Sequence, residues 1–201
     1  MTIKSFSLFG LVLFLFLSSC VTKKVPGTII FNNDSIKNVT FCMPAKTSTD
    51  ELKYYKICKK VTFFNNIGEK VVLKPDQAKE IKFVDEIPTR MISCKVGCKM
   101  RFLKMQMDGK VKLLSLVVPP KTYTSIGSDG MHFSYTIPER EIDYLKKDNE
   151  ELFWPRWLRF RKDMKIYLSD CPELVDKIDK KILTSDDIEQ IVGEYNNCNN
   201  K

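Results

Sequence analysis

KMRFLKMQMDGKVKLLSLVV, residues 99–118, contains two runs rich in apolar residues that are joined by Asp108-Gly109. An Asp-Gly pair between two such runs is typical of a tight β-hairpin, because both residues accept the positive φ angles that the turn needs. The sequence therefore predicts an antiparallel pair formed by Lys99–Met107 and Lys110–Val118.

Further segments rich in Val, Ile, Thr and Phe surround this hairpin on both sides and are typical of strands. Asn65–Gly68 predicts a second hairpin turn, whereas Pro119-Pro120 and Ser125–Gly130 interrupt the pattern and predict loops. The other predicted strands are Thr28–Phe31, Lys37–Cys42, Lys59–Phe64, Lys70–Lys74, Glu80–Val84, Thr89–Ser93 and Met131–Ile137.

Two helices are predicted near the C-terminus. Pro172–Lys181 begins with a proline, which suits the first helical position, and Thr184–Tyr195 begins with a Thr-x-x-Asp cap. The connection between them is short, which favours an antiparallel helix hairpin. The hairpin brings Cys171 beside Cys198, so these two are predicted to form a disulfide that stabilises the fold by roughly 3 kcal/mol.

Strands followed by helices predict the α+β class: an antiparallel β-rich domain followed by a helical segment that ends in a disulfide-linked helix hairpin. The predicted organisation has four parts. They are a signal peptide over 1–19, a lipidated cysteine and tether over 20–26, a β-rich domain over 27–138, and a helical segment packed on the sheet over 139–201.

The other cysteines are expected to form disulfides as well, because an even number in an exported chain is typical of structural bridges. The predicted pairs are Cys42–Cys58, at the base of the loop between two strands, and Cys94–Cys98, which closes a small ring. Redox chemistry usually requires Cys-x-x-Cys, and a zinc site requires four ligands at motif spacing. Neither pattern is found, so no metal site and no cofactor are predicted.

Residues 153–168 combine aromatic and basic residues at helical spacing. One face of the expected helix carries Trp154, Trp157, Phe160, Met164, Tyr167 and Leu168, and the other carries Arg156, Arg159, Lys162 and Lys165. Such a helix can lie on a membrane or contact a partner through its basic residues. The favoured interpretation is that the aromatic face packs on the sheet while the cations face solvent.

The N-terminus carries a short apolar run, Phe6–Leu17, that is too short to span a bilayer and has the length of a secretory signal core. It ends in Leu17-Ser18-Ser19-Cys20, which resembles the lipobox of bacterial lipoproteins. The resemblance implies that Cys20 is acylated and becomes the first residue of the mature chain. The absence of Asp directly after Cys20 implies sorting to the outer membrane. The absence of the acidic run that surface-exported Bacteroidetes lipoproteins carry beside the cysteine implies the periplasmic face. The alternative is an ordinary signal peptide that is cleaved slightly downstream.

A second resemblance covers most of the mature chain. Gly27–Asn38, Asp170-Cys-Pro-Glu-Leu174 and Tyr195-Asn-Asn-Cys198 are similar to the opening turn and the helical ending of uncharacterised Bacteroidetes envelope lipoproteins. Asn33 and Asn38 stand where that family tends to have Gly. The resemblance implies an extracytoplasmic location and supplies no functional residues. Asp34-Ser35-Ile36 also resembles a Bacteroidetes O-glycosylation triplet.

No catalytic residues are predicted. The only histidine is His132, and the sequence has no nucleophile motif such as Gly-x-Ser-x-Gly for which this histidine would be the base. The formal net charge is +8, but the lysines are spread along the chain, so nucleic acid is not an expected partner. The expected function is a non-enzymatic envelope binding or scaffold module whose partners are the bilayer, through Cys20, and an unidentified envelope protein. The alternative is a protective lipoprotein of the immunity type that neutralises a toxin.

Overall fold

The computed structural model describes residues 22–46, 49, 51–84, 88–126, 128, 130–148 and 150–198. Within these residues, nine strands form one antiparallel sheet in the order β11-β8-β7-β6-β5-β1-β2-β3-β4, and β9 and β10 form a separate two-stranded ribbon. The strands are β1 Thr22–Phe31, β2 Ile36–Pro44, β3 Val61–Phe64, β4 Lys70–Leu73, β5 Ala78–Phe83, β6 Thr89–Val96, β7 Lys99–Met107, β8 Val111–Val118, β9 Lys121–Ile126, β10 His132–Ile137 and β11 Arg140–Lys147.

The hairpin predicted around Asp108-Gly109 is confirmed. β7 and β8 pair antiparallel, and the Gly109 amide donates a 3.1 Å hydrogen bond to Oδ1 of Asp108. One extra residue in β7 shifts the register between Met105 and Met107. Because of this bulge, Gln106 and Met107 both face the inner side of the sheet.

Strands β9 and β11 were not predicted, and β1 begins earlier than predicted. β11 is rich in charged residues, which an edge strand tolerates because one of its sides is unpaired. β9 directly follows two prolines and ends within Ser125–Gly130, which was predicted as a loop. Since β11 pairs with β8 along its whole length, the sheet extends to Lys147, beyond the predicted domain boundary at 138.

The segment predicted as a tether, 20–26, is strand from Thr22 onward. Thr22 pairs with Pro44 of β2, and Val25 is buried with 1% of its surface exposed. The alternation of buried and exposed residues starts before Gly27, which explains why the strand is longer than predicted. Cys20 and the predicted signal peptide lie outside the described residues.

The inner face of the sheet carries two apolar clusters. The larger cluster is formed mainly by β1, β2, β3, β5 and β6, and it also contacts the one-turn helix α1, Tyr54–Ile57. The second is formed by Val111, Leu113 and Leu145 of the sheet with the C-terminal helices. Between them lies a polar row, in which Gln106 donates hydrogen bonds to Ser115 Oγ at 3.1 Å and Glu141 Oε2 at 2.7 Å.

Three helices follow the sheet: α2 Phe160–Tyr167, α3 Pro172–Asp179 and α4 Ile188–Asn196. The predicted cap is present, since the Thr184 amide donates a 2.8 Å hydrogen bond to the Asp187 carboxylate. The predicted Cys171–Cys198 disulfide is confirmed and closes a sequence separation of 27. Among the described helices none is long and apolar enough to cross a bilayer.

The two other predicted disulfides are not formed in this structure, where Cys42, Cys58, Cys94 and Cys98 are free. The Cys58 thiol points into the protein and donates to the Tyr55 carbonyl at 3.1 Å, whereas Cys42 alternates with the core-facing Phe41 and Met43 and points to the outer face. Cys94 is buried on the outer face with Leu103, Leu114 and Tyr144, whereas Cys98 is exposed in the following turn. In each pair the two thiols therefore point in different directions.

Candidate functional site

The aromatic and basic segment 153–168 is arranged differently from the favoured interpretation. Helix α2 begins only at Phe160, after a 3₁₀ turn at Trp157–Arg159. Phe160 and Met164 are buried as expected, but Trp154 is 53% exposed and Trp157 is 77% exposed. The prediction that the tryptophans pack on the sheet is therefore wrong, because both precede the helix that was expected to orient them.

The start of this segment is fixed to the edge of the sheet. Phe153 and Leu145 exchange two backbone hydrogen bonds of 2.8 Å, and the Phe153 ring stacks on Tyr167 with centroids 4.3 Å apart. Trp154 and Trp157 thus follow directly after a residue that is hydrogen-bonded to the edge strand. Together with Leu158, which is also exposed, they form an apolar surface that we call the tryptophan patch.

The four predicted basic residues divide into two kinds. Arg156 pairs with Asp163 at 3.2 Å, and Lys165 pairs with Asp179 at 2.9 Å. Arg159 and Lys162 are exposed, and neither forms an ion pair with any described carboxylate. Arg159 and Lys162 are therefore available to an anionic ligand, whereas the charges of Arg156 and Lys165 are partly neutralised by their carboxylate partners.

Arg159 and Lys162 line a cleft of about 420 Å³ between α2 and the loop that follows α3. Trp157 and Leu158 line it from the same segment, and Lys181 and Arg161 add two further cations. None of the described residues that line it is acidic. We call this site the basic cleft. Arg161 and Lys181 were not predicted as site residues, because the cleft forms only when α2 packs beside α3.

Lys181 has a left-handed backbone, with φ of 60°. It follows Lys180, the residue that caps the C-terminus of helix α3, and the amide of Ile182 donates to the Lys177 carbonyl at 2.9 Å. Glycine is the usual residue at such a helix end, because a Cβ is unfavourable in the left-handed region. A lysine at this strained position is unusual. Because strained residues are concentrated at functional sites, its presence supports a function for the cleft that it lines.

A network of tyrosines holds the helices against the sheet behind this site. The Lys147 ammonium lies 4.9 Å from the Tyr167 ring centroid and 5.3 Å from that of Tyr195, and it donates to the Tyr167 carbonyl at 2.9 Å. The Tyr195 hydroxyl donates to the Asp170 carboxylate. Burial raises the pKa of Tyr167 to about 12, and burial together with Asp170 raises the pKa of Tyr195 further. Both hydroxyls therefore stay protonated at neutral pH.

A second exposed feature is the ribbon of β9 and β10, which we call the arm. All twelve residues of these two strands are exposed. One face carries Tyr123 and Tyr135, which stack with centroids 5.1 Å apart, and Phe133. His132 lies on the opposite face, paired in register with Ile126. The arm thus has an aromatic face that no other element covers among the described residues.

The described residues contain no group of three or more His, Cys, Asp or Glu side chains placed to hold a metal ion. The two buried free thiols, Cys58 and Cys94, have a raised pKa because burial disfavours the thiolate. A thiol of raised pKa is a poor nucleophile at neutral pH.

Comparisons with known proteins give no relative: no protein-family model matches the chain, and neither a curated protein nor a solved structure is significantly similar to it.

Proposed function

We propose that this chain is a non-enzymatic, lipid-anchored envelope protein, a binding or scaffold module on the periplasmic face of a bacterial outer membrane. The observation that carries the proposal is the sequence Leu17-Ser18-Ser19-Cys20 at the end of a short apolar run. In this proposal Cys20 carries the acyl chains, and the protein belongs with the Bacteroidetes envelope lipoproteins that it resembles. Several acyl chains on one residue make a durable anchor, which one chain does not.

Strand β1 supports a close attachment to the membrane. It begins at Thr22, only two residues after Cys20, so the acylated residue has almost no slack before the folded domain. In this arrangement the tryptophan patch and the unpaired cations Arg159 and Lys162 contact the bilayer surface, where tryptophan and basic residues are favoured.

The arm is the proposed contact with a partner protein. It is rich in Tyr, Ser and Thr, a composition that combines rigid aromatic area with adaptable hydrogen bonding, as in binding loops. Tyr123 and Tyr135 supply that aromatic area, and the unpaired outer edge of each strand can accept an extended segment.

The C-terminal helices are proposed to be a stabilising appendage. In this proposal helices α3 and α4 are an antiparallel hairpin, and the Cys171–Cys198 disulfide that joins their ends supports a domain exposed to an oxidising compartment.

The anchor is tested by the intact mass of the detergent-extracted protein. We expect a chain that starts at Cys20, carries acyl groups, and gains two hydrogens on reduction of the Cys171–Cys198 disulfide. Cys20→Ser should lose the acyl mass, whereas Cys98→Ser, which removes an exposed thiol, should retain it. An unacylated wild-type chain would contradict the proposal.

The partner contact is tested by a photo-crosslinking amino acid in living cells. Placed at Tyr135 of the arm, it should give one protein adduct of defined mass; placed at Lys95, an exposed position on β6, it should give none. An envelope protein in the adduct supports the scaffold function. A secreted toxin in the adduct would instead identify the immunity-type alternative, and no adduct at Tyr135 would contradict the role of the arm.

A further inference from the structure

The charged side chains that line the basic cleft are all positive, which favours an anionic ligand. Arg159, Arg161, Lys162 and Lys181 line it, and no acidic residue is among the described residues that do so. A cleft lined by one sign of charge favours a ligand of the opposite sign.

Three of these cations are free to bind. The side chains of Arg159, Lys162 and Lys181 form no ion pair or hydrogen bond with the described residues, although ion pairs are frequent on the neighbouring surface. Arg161 has one weak contact, from Nη1 to the Asp179 carbonyl at 3.4 Å. Two carboxylates on the adjoining helices have other partners, since Asp163 pairs with Arg156 and Asp179 with Lys165.

The wall on one side of the cleft is apolar. Trp157 and Leu158 are each 77% exposed, and both line the cleft next to Arg159. Large apolar side chains that stay exposed beside cations are suited to a ligand with an anionic head and an alkyl chain. An ion without an alkyl chain would leave this wall exposed to water.

The backbone at Lys181 is a separate observation that supports a ligand. Its left-handed conformation disfavours any side chain, and a glycine would serve the helix end better. The side chain that is retained there is a cation aimed at a cleft with other cations. Strain of this kind is concentrated at binding sites, where the function of the side chain compensates for it.

We propose that the basic cleft binds a phosphate-bearing amphiphile. Arg159, Lys162 and Lys181 hold the phosphate by charge-assisted hydrogen bonds, and the alkyl chain lies against Trp157 and Leu158. The inference rests on the proposed membrane location for the source of its ligand, a lipid headgroup. Its test does not require an acylated Cys20, so the failure of one can be distinguished from the failure of the other.

The chain contains only two tryptophans, and both lie in the tryptophan patch, so their fluorescence reports on this site directly. The full-length chain in dodecyl maltoside micelles is titrated with monododecyl phosphate, with inorganic phosphate and with dodecyltrimethylammonium. We expect a saturable shift of the emission to shorter wavelength with monododecyl phosphate. Inorganic phosphate should bind at least about tenfold more weakly, because it makes no contact with the apolar wall.

Two double variants with the same change in charge provide the control. Lys162→Ala with Lys181→Gly should weaken the binding of monododecyl phosphate by about a hundredfold, since each lost charge-assisted bond costs about a factor of ten. Lys95→Ala with Lys99→Ala removes two exposed lysines at the β6–β7 turn and should leave the affinity unchanged.

Three results would overturn the inference. Equal affinity for monododecyl phosphate and dodecyltrimethylammonium would show that the alkyl chain alone is recognised. Equal affinity for inorganic phosphate would show a site for the free ion. Equal losses in the two double variants would show a general effect of net charge rather than a site.

Discussion

Lys181 combines an unfavourable backbone with a favourable position for binding. A residue with a Cβ loses about 1 kcal/mol in the left-handed region, whereas glycine does not. We therefore expect Lys181→Gly to raise the free energy of unfolding by about 1 kcal/mol, as measured by urea denaturation.

The neighbouring Lys180 provides the matched control, because it has an ordinary helical φ of −73°. Lys180→Gly is expected to lower the stability by up to about 1 kcal/mol, since glycine gains no relief there and loses more entropy on folding. If both variants lost stability alike, Lys181 would not be strained, and the support that its backbone gives to the basic cleft would disappear.

Asp143 gives the protein a dependence on pH of known sign. Burial raises the pKa of Asp143 above its ordinary 3.8, and Glu141 and Glu189 act in the same direction. The folded state therefore binds this proton more tightly than the unfolded state does. The stability that Asp143 contributes is fully present below its ordinary pKa and is lost as the pH rises through the higher pKa of the folded state.

We accordingly expect Asp143→Asn to be more stable than the wild type at pH 7 and equal to it near pH 3, as measured by thermal unfolding at both pH values. The exposed Asp76 is the control, and Asp76→Asn should leave the stability unchanged at either pH. A variant that is less stable at pH 7 would mean that the Asp143 carboxylate is stabilised in the fold, contrary to the burial argument.

The arm is a separable element. β9 and β10 pair only with each other, and all their residues are exposed, so the rest of the protein gains little from them. A two-stranded ribbon is also only marginally stable by itself. Val118 and Arg140, at the two sides of its base, are already paired in register, so a short turn can join β8 to β11.

Replacement of residues 121–137 by a Gly-Asn turn is therefore expected to change the melting temperature by no more than a few degrees. Thermal unfolding followed by circular dichroism measures this. As a comparison, replacement of the β7–β8 turn by a long flexible loop should lower the melting temperature clearly, because β7 and β8 are central strands. A large loss on removal of the arm would show that it supports the sheet.

The sequence predicted elements well where the local pattern and the tertiary contacts agree. The β7–β8 hairpin follows from Asp108-Gly109, and the Cys171–Cys198 disulfide follows from the short connection between two amphipathic helices. β11 was missed because its charged residues reflect an edge position, which depends on the strand order of the whole sheet. The type of an element was thus easier to predict than the elements that lie beside it in the fold.

The candidate site was only half predicted for a similar reason. Arg159 and Lys162 were identified from their place on an amphipathic pattern, but Lys181 reaches the cleft only through the packing of α2 against α3. The exposure of Trp157 was also missed, because the helix begins at Phe160 instead of including the tryptophans. Side chains brought together by packing leave no periodic signal in the sequence.

The molecule as a whole has two apolar clusters on one side of a single sheet, separated by a polar row. The larger cluster is enclosed mainly by strands close in sequence, whereas the second depends on the C-terminal helices for its cover. Across the polar row Lys104 lies 3.6 Å from Glu141, and Gln106 contacts Ser115. The two clusters therefore make few apolar contacts with each other, and each can lose structure with limited effect on the other.

Reduction of Cys171–Cys198 should separate their stabilities. The disulfide closes 27 residues that include α3 and α4, and its loss is worth roughly 3 kcal/mol by loop-closure entropy. We expect hydrogen exchange with mass spectrometry to show faster exchange in α2, α3 and α4 after reduction, while β1, β2 and β5 keep their protection. Cys171→Ala with Cys198→Ala should reproduce the effect, and Cys98→Ser should have none. Equal acceleration in all strands and helices would mean that the sheet and the helices unfold as one cooperative unit, and that the polar row does not divide the molecule.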